Sequence, residues 1–242
     1  MTKVVGVDGC PNGWCCACLT IKNCKVEEIA LDRVPTFQEV LSKYAGAAAI
    51  AVDIPIGLPN LEKYPRQCDK EAKALLGKRG SAVFFTPIRA VIEKSNGKSY
   101  RKVCSIARAA TGKKLSKQTY NILNKILEVD RYMKQVKQER VFEVHPELCF
   151  WAINGKRAME LSKKKREGFR ERFRRLEQIL PREAIEEALA RFPRSRVGRD
   201  DVLDALVAAH TARLYVEGRF QRLPALPPTD RRRLRMEMII AF

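Results

Sequence analysis

The run AAAIAVDIPI, residues 47–56, constrains the fold more than any other part of the chain. Its apolar residues stand at consecutive positions, which is typical of a strand buried on both faces. Strands of this kind belong to sheets that are covered by helices on both sides. The sequence therefore predicts an α/β fold built around this strand.

Three strands and one helix are predicted before it. Thr36 is a suitable N-cap for the helix, Glu39 completes a capping box, and Gly46 is expected to end it. A helix between strands carries the chain to a strand parallel to the first, so we predict a mixed sheet with the order β-β-β-α-β. The four segments are KVVGVD, WCCACLTI, KVEEIALDRV and TFQEVLSKYAG.

The rest of the chain is mostly helical. From residue 60 to 138 the pattern predicts basic helices, and RVFEVHPE then returns to a strand that a helix starting at Pro146 follows. Three further helices and a final apolar segment, RLRMEMIIAF, complete the chain. No internal repeat or low-complexity linker is present. We therefore predict a single domain, 1–242, with a large helical insertion, 60–138, before the last core strand.

The positive charge is concentrated in the helical segments. The whole chain has 47 Lys and Arg against 28 Asp and Glu, a net charge of +19. Residues 62–140 contain 20 basic and 7 acidic side chains, whereas residues 1–61 contain 5 and 6. This distribution favours a nucleic-acid or nucleotide partner over a merely solvated basic surface.

The hydrophobic runs and the cysteines indicate the cellular compartment in which the protein is expected. No apolar run reaches the ~18 residues of a membrane span, and MTKVVGVDG is too short for a signal peptide. We therefore expect a cytoplasmic protein without a membrane partner. There are eight cysteines, and five of them lie in the first 24 residues. Because neighbours in WCCACLTI point to opposite faces of a strand, we interpret them as small buried hydrophobes and not as metal ligands.

Carboxylates stand where apolar residues are expected. Asp8 and Asp53 end strands, Glu143 lies in the RVFEVHPE strand, and an acidic group opens the last long helix. Each has a simpler explanation: a turn for Asp8, an acid before Pro55 for Asp53, an exposed edge position for Glu143. The helix acids are Asp200, Asp201 and Asp204.

Asp204 does not fit the simple explanation of a helix cap. It lies one turn inside a helix that is apolar nearly all round, on the same face as Asp200 and Asp201. Asp8 and Asp53 should meet at the carboxyl ends of neighbouring strands, where sites form in α/β sheets. Clustered carboxylates raise one another's pKa, and an all-oxygen set suits Mg²⁺ or Mn²⁺. Two such ions, ~3.5–4 Å apart, could serve phosphate chemistry.

Six motifs in order resemble those of the domain of unknown function 429 family, described as predicted RNase H-like nucleases. They are GVDGCPNGW, DIPIGLP, RQCDKEAKALLGKRGSAVF, SKQ, EVHPE and DDVLDALVAAHTA. The order of strands and acids also resembles the RNase H-like superfamily, and the acids on the final helix resemble its Holliday-junction resolvase branch. The resemblance implies an RNase H-like fold, a mixed five-stranded sheet (β-β-β-α-β…β-α) flanked by helices.

The resemblance also implies a set of site residues. Asp8, Asp53, Asp201 and Asp204 would be catalytic carboxylates that bind two Mg²⁺ or Mn²⁺ ions, with Asp200 as a further ligand and Glu143 as a further catalytic candidate. His145 could act as a general base, orient Glu143, or cap the helix at Pro146. Substrate or phosphate contacts are implied for Arg66, Asp69, Arg79, Ser81, Ser116, Lys117 and Gln118.

Three functions follow as hypotheses. The first is a metal-dependent nuclease that hydrolyses DNA or RNA. The second is a nucleotide-binding phosphotransferase or ATPase of actin-like type, which needs two such sheets. The third is a non-catalytic nucleic-acid binder, which the acidic residues disfavour because they repel phosphates without a metal. The apolar MEMIIAF end suggests a buried contact, which would be consistent with a homo-oligomer.

Overall fold

The computed structural model describes residues 1–242 apart from the side chains of residues 135 and 136. It is an α/β structure with seven strands and nine α-helices in the part described. The strands are β1 Thr2–Cys10, β2 Gly13–Lys22, β3 Lys25–Val34, β4 Ala49–Val52, β5 Val141–Glu143, β6 Phe220–Leu223 and β7 Met238–Ala241. The helices are α1 Phe37–Lys43, α2 Gln67–Leu76, α3 Arg89–Ser95, α4 Tyr100–Thr111, α5 Lys117–Tyr132, α6 Pro146–Ile153, α7 Arg166–Leu176, α8 Arg182–Ala190 and α9 Arg199–Val216.

The main sheet has five strands in the order β3-β2-β1-β4-β5. β1 runs antiparallel to β2, and β2 antiparallel to β3. β4 is parallel to β1, and β5 is parallel to β4. The predicted α/β class and the mixed five-stranded sheet are confirmed. The parallel strands β1, β4 and β5 end at the same edge.

A tight turn joins β1 to β2. Asn12 adopts a φ of 52°, in the left-handed region that Asn tolerates better than most residues. The ladder extends to the pair Cys10–Gly13, and Asp8 lies opposite Cys15 inside it. Asp8 is therefore a strand residue, and the turn does not need its carboxylate.

Two elements end earlier than the sequence predicts. The strand predicted in the apolar run 47–56 was expected to end at Asp53, but β4 stops one residue earlier, at Val52. Pro55 has no N–H to give to a ladder, and the chain turns away before it. Helix α1 ends at Lys43, with Tyr44 and not Gly46 as its C-cap, because the Tyr44 N–H already closes the last turn on Val40 and Ser42.

Helices cover both faces of the sheet. On one face α9 packs against β1, β2 and β4, and its apolar side chains form a core with strand residues such as Cys15 and Ala17. On the other face α1 and α5 cover Cys16, Cys18 and Ile50. The cysteines of β2 thus alternate between two cores, as predicted, and all eight are free. β2 is a strand buried on both faces.

Four helices, α2 to α5, lie between β4 and β5, in the segment predicted as an insertion. Helix α5 contributes Leu123, Ile126 and Val129 to the core under the sheet. Helix α3 was not predicted. It is only seven residues long, and its sequence, RAVIEKS, is too short for a clear helical period.

The C-terminal segment forms a second, two-stranded sheet, in which β7 pairs antiparallel with β6. Met238, Ile240 and Leu223 pack with α2 and α6. The apolar end of the chain is therefore covered by the chain's own elements. Among the residues described, no helix has both the length and the apolar character to cross a membrane.

Candidate functional site

Three carboxylates lie at the edge of the sheet where the parallel strands end. Asp8 lies near the end of β1, and the Asp53 N–H donates to the carbonyl oxygen of Val7 at 2.9 Å. Glu143 ends β5 and pairs in register with Val52. Since β4 lies between β1 and β5, the three acids come from adjacent strands.

A fourth carboxylate is brought in by α9. Gly6 of β1 faces this helix, and a Cβ at Gly6 would collide with the backbone of Ala205 and Ala209. The absence of a side chain allows the helix to approach the strand closely at Ala205, the residue that follows Asp204. Asp204 is 1 % exposed and Asp8 7 % exposed. We call Asp8, Asp53, Asp201 and Asp204 the acidic cluster.

Burial and mutual repulsion shift the pKa of every member. Burial, followed by repulsion from Asp53 and Asp204, raises the pKa of Asp8 well above its usual range. Burial raises the pKa of Asp53 to about 7, and repulsion from Asp204 adds to it. Burial also raises the pKa of Asp204. Asp201, beside Asp200, has a pKa raised to about 6, mainly by burial.

Lys163 supplies the positive charge of this site. Its Nζ contacts Oδ2 of Asp204, while its side chain is 33 % exposed. The ammonium lowers the pKa of Asp8, Asp53 and Asp204 against the effect of burial. In return, these acids raise the pKa of Lys163, so it is charged at neutral pH. The lysine is a cation inside the cluster.

The donor set is that of a hard divalent cation, but the acids do not enclose one. Within the described part of the chain, no group of three or more His, Cys, Asp or Glu side chains is close enough together to hold a metal ion. The chemistry of four oxygen-bearing side chains suits Mg²⁺ or Mn²⁺. In this arrangement the Lys163 ammonium is the cation that contacts Asp204.

The outer members of the predicted metal set lie at the start of α9. Asp201 Oδ2 accepts a hydrogen bond from the Gly198 N–H at 3.0 Å and so caps the helix. Asp200 is partly exposed and raises the pKa of Asp201 and Asp204 by repulsion. Both residues therefore border Asp8 and Asp204, which are buried, and Asp53, which is partly buried.

Glu143 belongs to a different, internally satisfied network. Arg66 donates to its two carboxylate oxygens at 2.7 and 2.8 Å, and the Ile56 N–H donates to Oε2 at 2.7 Å. Arg66 also binds Asp69 at 2.6 Å, and Asp69 accepts from the Thr86 N–H at 2.8 Å. Arg66 and Asp69, predicted as substrate contacts, are fully buried in this network.

His145 caps α6. Its Nδ1 accepts a hydrogen bond from the Glu147 N–H at 3.2 Å. Burial lowers the pKa of His145 to about 4, so it is neutral at neutral pH. The Nδ1 lone pair, which a general base would need, is engaged in the cap.

The other predicted substrate contacts are spread over the surface. Arg79 pairs with Glu147 at 2.9 Å, and Ser81 is exposed. Ser116 caps α5 by accepting from the Thr119 N–H at 3.0 Å. The Lys117 ammonium lies over the rings of Tyr100 and Tyr120, at 4.8 and 4.7 Å from their centroids.

Gln118 is the member of the SKQ motif that reaches the acids. It lines a cavity of about 310 Å³ together with Asp8, Asp53 and His145. Asn121 and Lys125, one and two turns further along α5, line the same cavity. This spacing of three to four residues puts all three on one face of the helix.

A family model described as Protein of unknown function (DUF429) matches residues 6–229. The chain belongs to this family. The match spans Asp8, Asp53, Glu143 and Asp204, and it covers β1 from Gly6 onward and the other four strands of the main sheet in full. The description of the DUF429 family states no activity. No curated protein and no solved structure matches the chain.

Two lysines of this DUF429 chain were missed by sequence reasoning. Lys125 lines the cavity, and its ammonium lies 4.2 Å from the centroid of the Trp14 ring. Its helical spacing from Gln118 could have indicated it. Lys163 stands first in the run KKK at 163–165, where nothing in the sequence separates it from its exposed neighbours.

Proposed function

We propose that the chain is a metal-dependent nuclease of RNase H-like type, which hydrolyses phosphodiester bonds of DNA or RNA with two Mg²⁺ or Mn²⁺ ions. Support comes from a sheet whose central strand is antiparallel to β2 and parallel to β4, with acids on β1, after β4 and on α9. The excess of basic over acidic side chains, a net charge of +19, favours a polyanionic substrate. A cytoplasmic location is part of the proposal.

The observation that carries the proposal is the grouping of Asp8, Asp53 and Asp204, of which Asp8 and Asp204 are buried and Asp53 is partly buried. Carboxylates that repel one another in a buried site cost stability, and a protein keeps such groups where they serve a function. Their pKa values are raised by that burial and repulsion. A cavity of about 310 Å³ opens onto Asp8 and Asp53, so a ligand can reach them.

Asp8, Asp53, Asp201 and Asp204 would hold the ions, with Asp200 at the border of the cluster. Bound divalent ions lower the pKa of an attacking water and stabilise the leaving oxygen of a phosphate. Lys163 neutralises part of the cluster without metal and would withdraw when an ion enters. Its long, partly exposed stem permits this movement. Gln118 and Asn121 face the cavity and would orient the substrate.

One feature of the fold weighs against a phosphotransferase of actin-like type. That architecture needs two sheets of this kind with nucleotide between them. The described residues form one five-stranded sheet and one two-stranded sheet. The nuclease is therefore the better-supported function.

The test is cleavage of a panel of single-stranded, duplex, hybrid and branched DNA and RNA with Mg²⁺ or Mn²⁺. We expect at least one substrate to be cut, and Asp8→Asn and Asp204→Asn to abolish cutting. Asn at position 8 can still accept the Gly9 N–H, which lies 2.7 Å from Asp8 Oδ1. Glu187→Gln, on the exposed side of α8, is the matched control and should cut as the wild type does.

An intact panel with both ions would refute the nuclease. ATP turnover under the same conditions would favour the phosphotransferase instead. Metal-independent binding of strands without cleavage would favour the non-catalytic binder.

A further inference from the structure

A cleft on the α7 side of the molecule carries an unusual number of arginines. It has a volume of about 690 Å³ and is formed by α7, α8 and the segment that leads into α9. We call it the arginine cleft. Its arginines are Arg166, Arg170, Arg174, Arg182, Arg194 and Arg199.

Most of this charge has no acidic partner. The two acids of the cleft, Glu177 and Glu186, both bind Arg182, at 2.6 and 2.9 Å. The other five arginines make no ion pair with any residue that the structure describes. Like charges gathered on one surface repel one another, and a bound anion would relieve this repulsion. The cleft therefore favours binding of an anion.

The spacing along α7 suits a chain of phosphates. Arg166, Arg170 and Arg174 follow one another at four-residue intervals and therefore lie on one face of the helix. With a rise of 1.5 Å per residue, their backbone positions are about 6 Å apart. Three guanidinium groups in a row can each bind one phosphate, and their fork geometry matches its oxygens.

Two rings give the cleft stacking surfaces. The Arg199 guanidinium lies over Phe169, 4.4 Å from the ring centroid, and Arg182 lies over Phe173 at 5.4 Å. Guanidinium planes and aromatic rings both stack on unpaired bases. This combination favours a single strand, whose bases are free to stack.

The cleft lies beside the acidic cluster. Arg199 directly precedes Asp200 and Asp201, and Arg166 comes three residues after Lys163. Three residues of chain span at most about 11 Å. A strand held in the cleft would therefore extend toward Asp204, to which Lys163 is bound.

We propose that the arginine cleft is the binding site for the phosphate backbone of single-stranded nucleic acid, which it directs to the acidic cluster. This inference deepens the proposed nuclease function and rests on it for the destination of the strand. It places the main substrate contact on α7 and not on the basic helices of residues 60–138.

The test is fluorescence anisotropy with a labelled oligothymidylate in EDTA, so that no cleavage intervenes. The cleft variant is R166Q/R170Q/R174Q. The matched control is R101Q/K102Q/R108Q, which removes the same charge from exposed positions of α4. We expect the cleft variant to bind about thirty-fold more weakly and its salt slope to fall by about two, since each lost phosphate contact removes ~0.7. The affinity of the control variant for the oligothymidylate should fall by less than about three-fold, by the same relation.

Equal losses in the two variants would overturn the inference, because total charge would then explain binding. Tighter binding of a duplex, or of anionic vesicles, through the same arginines would overturn the assignment to single strands. If the triple variant does not fold, Arg170→Glu replaces it, with Arg101→Glu as its control and the same order of losses expected.

Cleavage separates this inference from the proposed function. A wild type that binds strands through the cleft but cuts nothing with Mg²⁺ or Mn²⁺ would refute the nuclease and retain the binding site. A wild type that cuts strands, while the cleft variant keeps its kcat/KM, would refute the binding site and retain the nuclease.

Discussion

At the scale of single residues, Lys163 decides the electrostatics of the acidic cluster. Asp8, Asp53 and Asp204 come from two strand ends and a helix, and their burial raises the pKa of each. Lys163 opposes this effect on all three through one ammonium group. The net charge of the buried site thus depends on a residue that is 41 positions from Asp204 in the sequence.

Lys163→Met should destabilise the metal-free protein, and more so at pH 8 than at pH 5. The unfolded chain releases the proton of Asp53 near pH 3.8, whereas the folded chain keeps it to about pH 7. Between these values the folded state binds more protons, so its stability falls as the pH rises. Without the Lys163 ammonium this decrease in stability with pH is larger. We expect the free energy of unfolding of Lys163→Met to be roughly 2–4 kcal/mol below that of the wild type at pH 8. Urea unfolding in EDTA at both pH values measures it.

Lys164→Met is the control, since Lys164 is exposed beside Lys163. It should leave the free energy of unfolding within about 0.5 kcal/mol of the wild type. Adding Mn²⁺ should raise the melting temperature of Lys163→Met more than that of the wild type, because the ion replaces the missing cation. Equal losses at pH 5 and pH 8 would contradict the proposed role of Lys163.

At the scale of elements, the contact between β1 and α9 brings the acids together. Gly6 has no side chain, and the backbone of Ala205 and Ala209 fills the space where one would be. The helix therefore lies directly on the strand, and Asp204 comes beside Asp8. Burial of the apolar surface of α9 stabilises its packing on the sheet, and the missing side chain at Gly6 determines how closely the helix approaches β1.

Gly6→Ala should push α9 away from β1. The new Cβ would collide with backbone atoms, which cannot move aside as a flexible side chain could. We expect a loss of about 3 kcal/mol or more in the free energy of unfolding, measured with urea, which is beyond the usual cost of overpacking. Gly46→Ala is the control, because a Cβ there meets nothing within 4 Å, and its change should stay within about 0.5 kcal/mol. Similar small changes in both variants would show that the helix can shift without cost.

Sequence patterns predicted most elements and few of their ends. β3 was predicted with its full extent, KVEEIALDRV, after the turn at Asn23. The apolar run that predicted β4 continues past the strand through Ile54 and Ile56, which are buried but unpaired in the sheet. Burial and strand pairing are different properties, and an apolar run reports only the first.

At the scale of the whole molecule, a buried ionic network ties the segment after β4 to β5. Arg66 binds Glu143 and Asp69 and also the carbonyl oxygens of Ile56 and Gly57, at 3.1 and 3.3 Å. Every one of these charged groups is buried. The network joins the start of the helical segment to the core sheet.

Arg66→Met should destabilise the fold by about 3–5 kcal/mol, because it leaves the carboxylates of Glu143 and Asp69 buried without a cation. Urea unfolding measures the loss. Lys70→Met, on the exposed side of α2, is the control and should stay within about 0.5 kcal/mol. Arg66→Lys should not restore stability, since one ammonium cannot replace a bidentate fork. A stable Arg66→Met that has lost only strand binding would instead support the substrate contact implied by the resemblance.

The sequence by itself determined the class of fold and identified the candidate site carboxylates. Hydrophobic periodicity is a local property, so it indicated the strands, and a carboxylate at the end of an apolar strand is visible without any structure. Only the tertiary structure decided which charges meet. Arg66 binds Glu143 across 77 positions, and Lys163 binds Asp204 across 41. Such partners are chosen by packing, because a Lys or Arg looks the same in sequence whether it faces water or a buried acid.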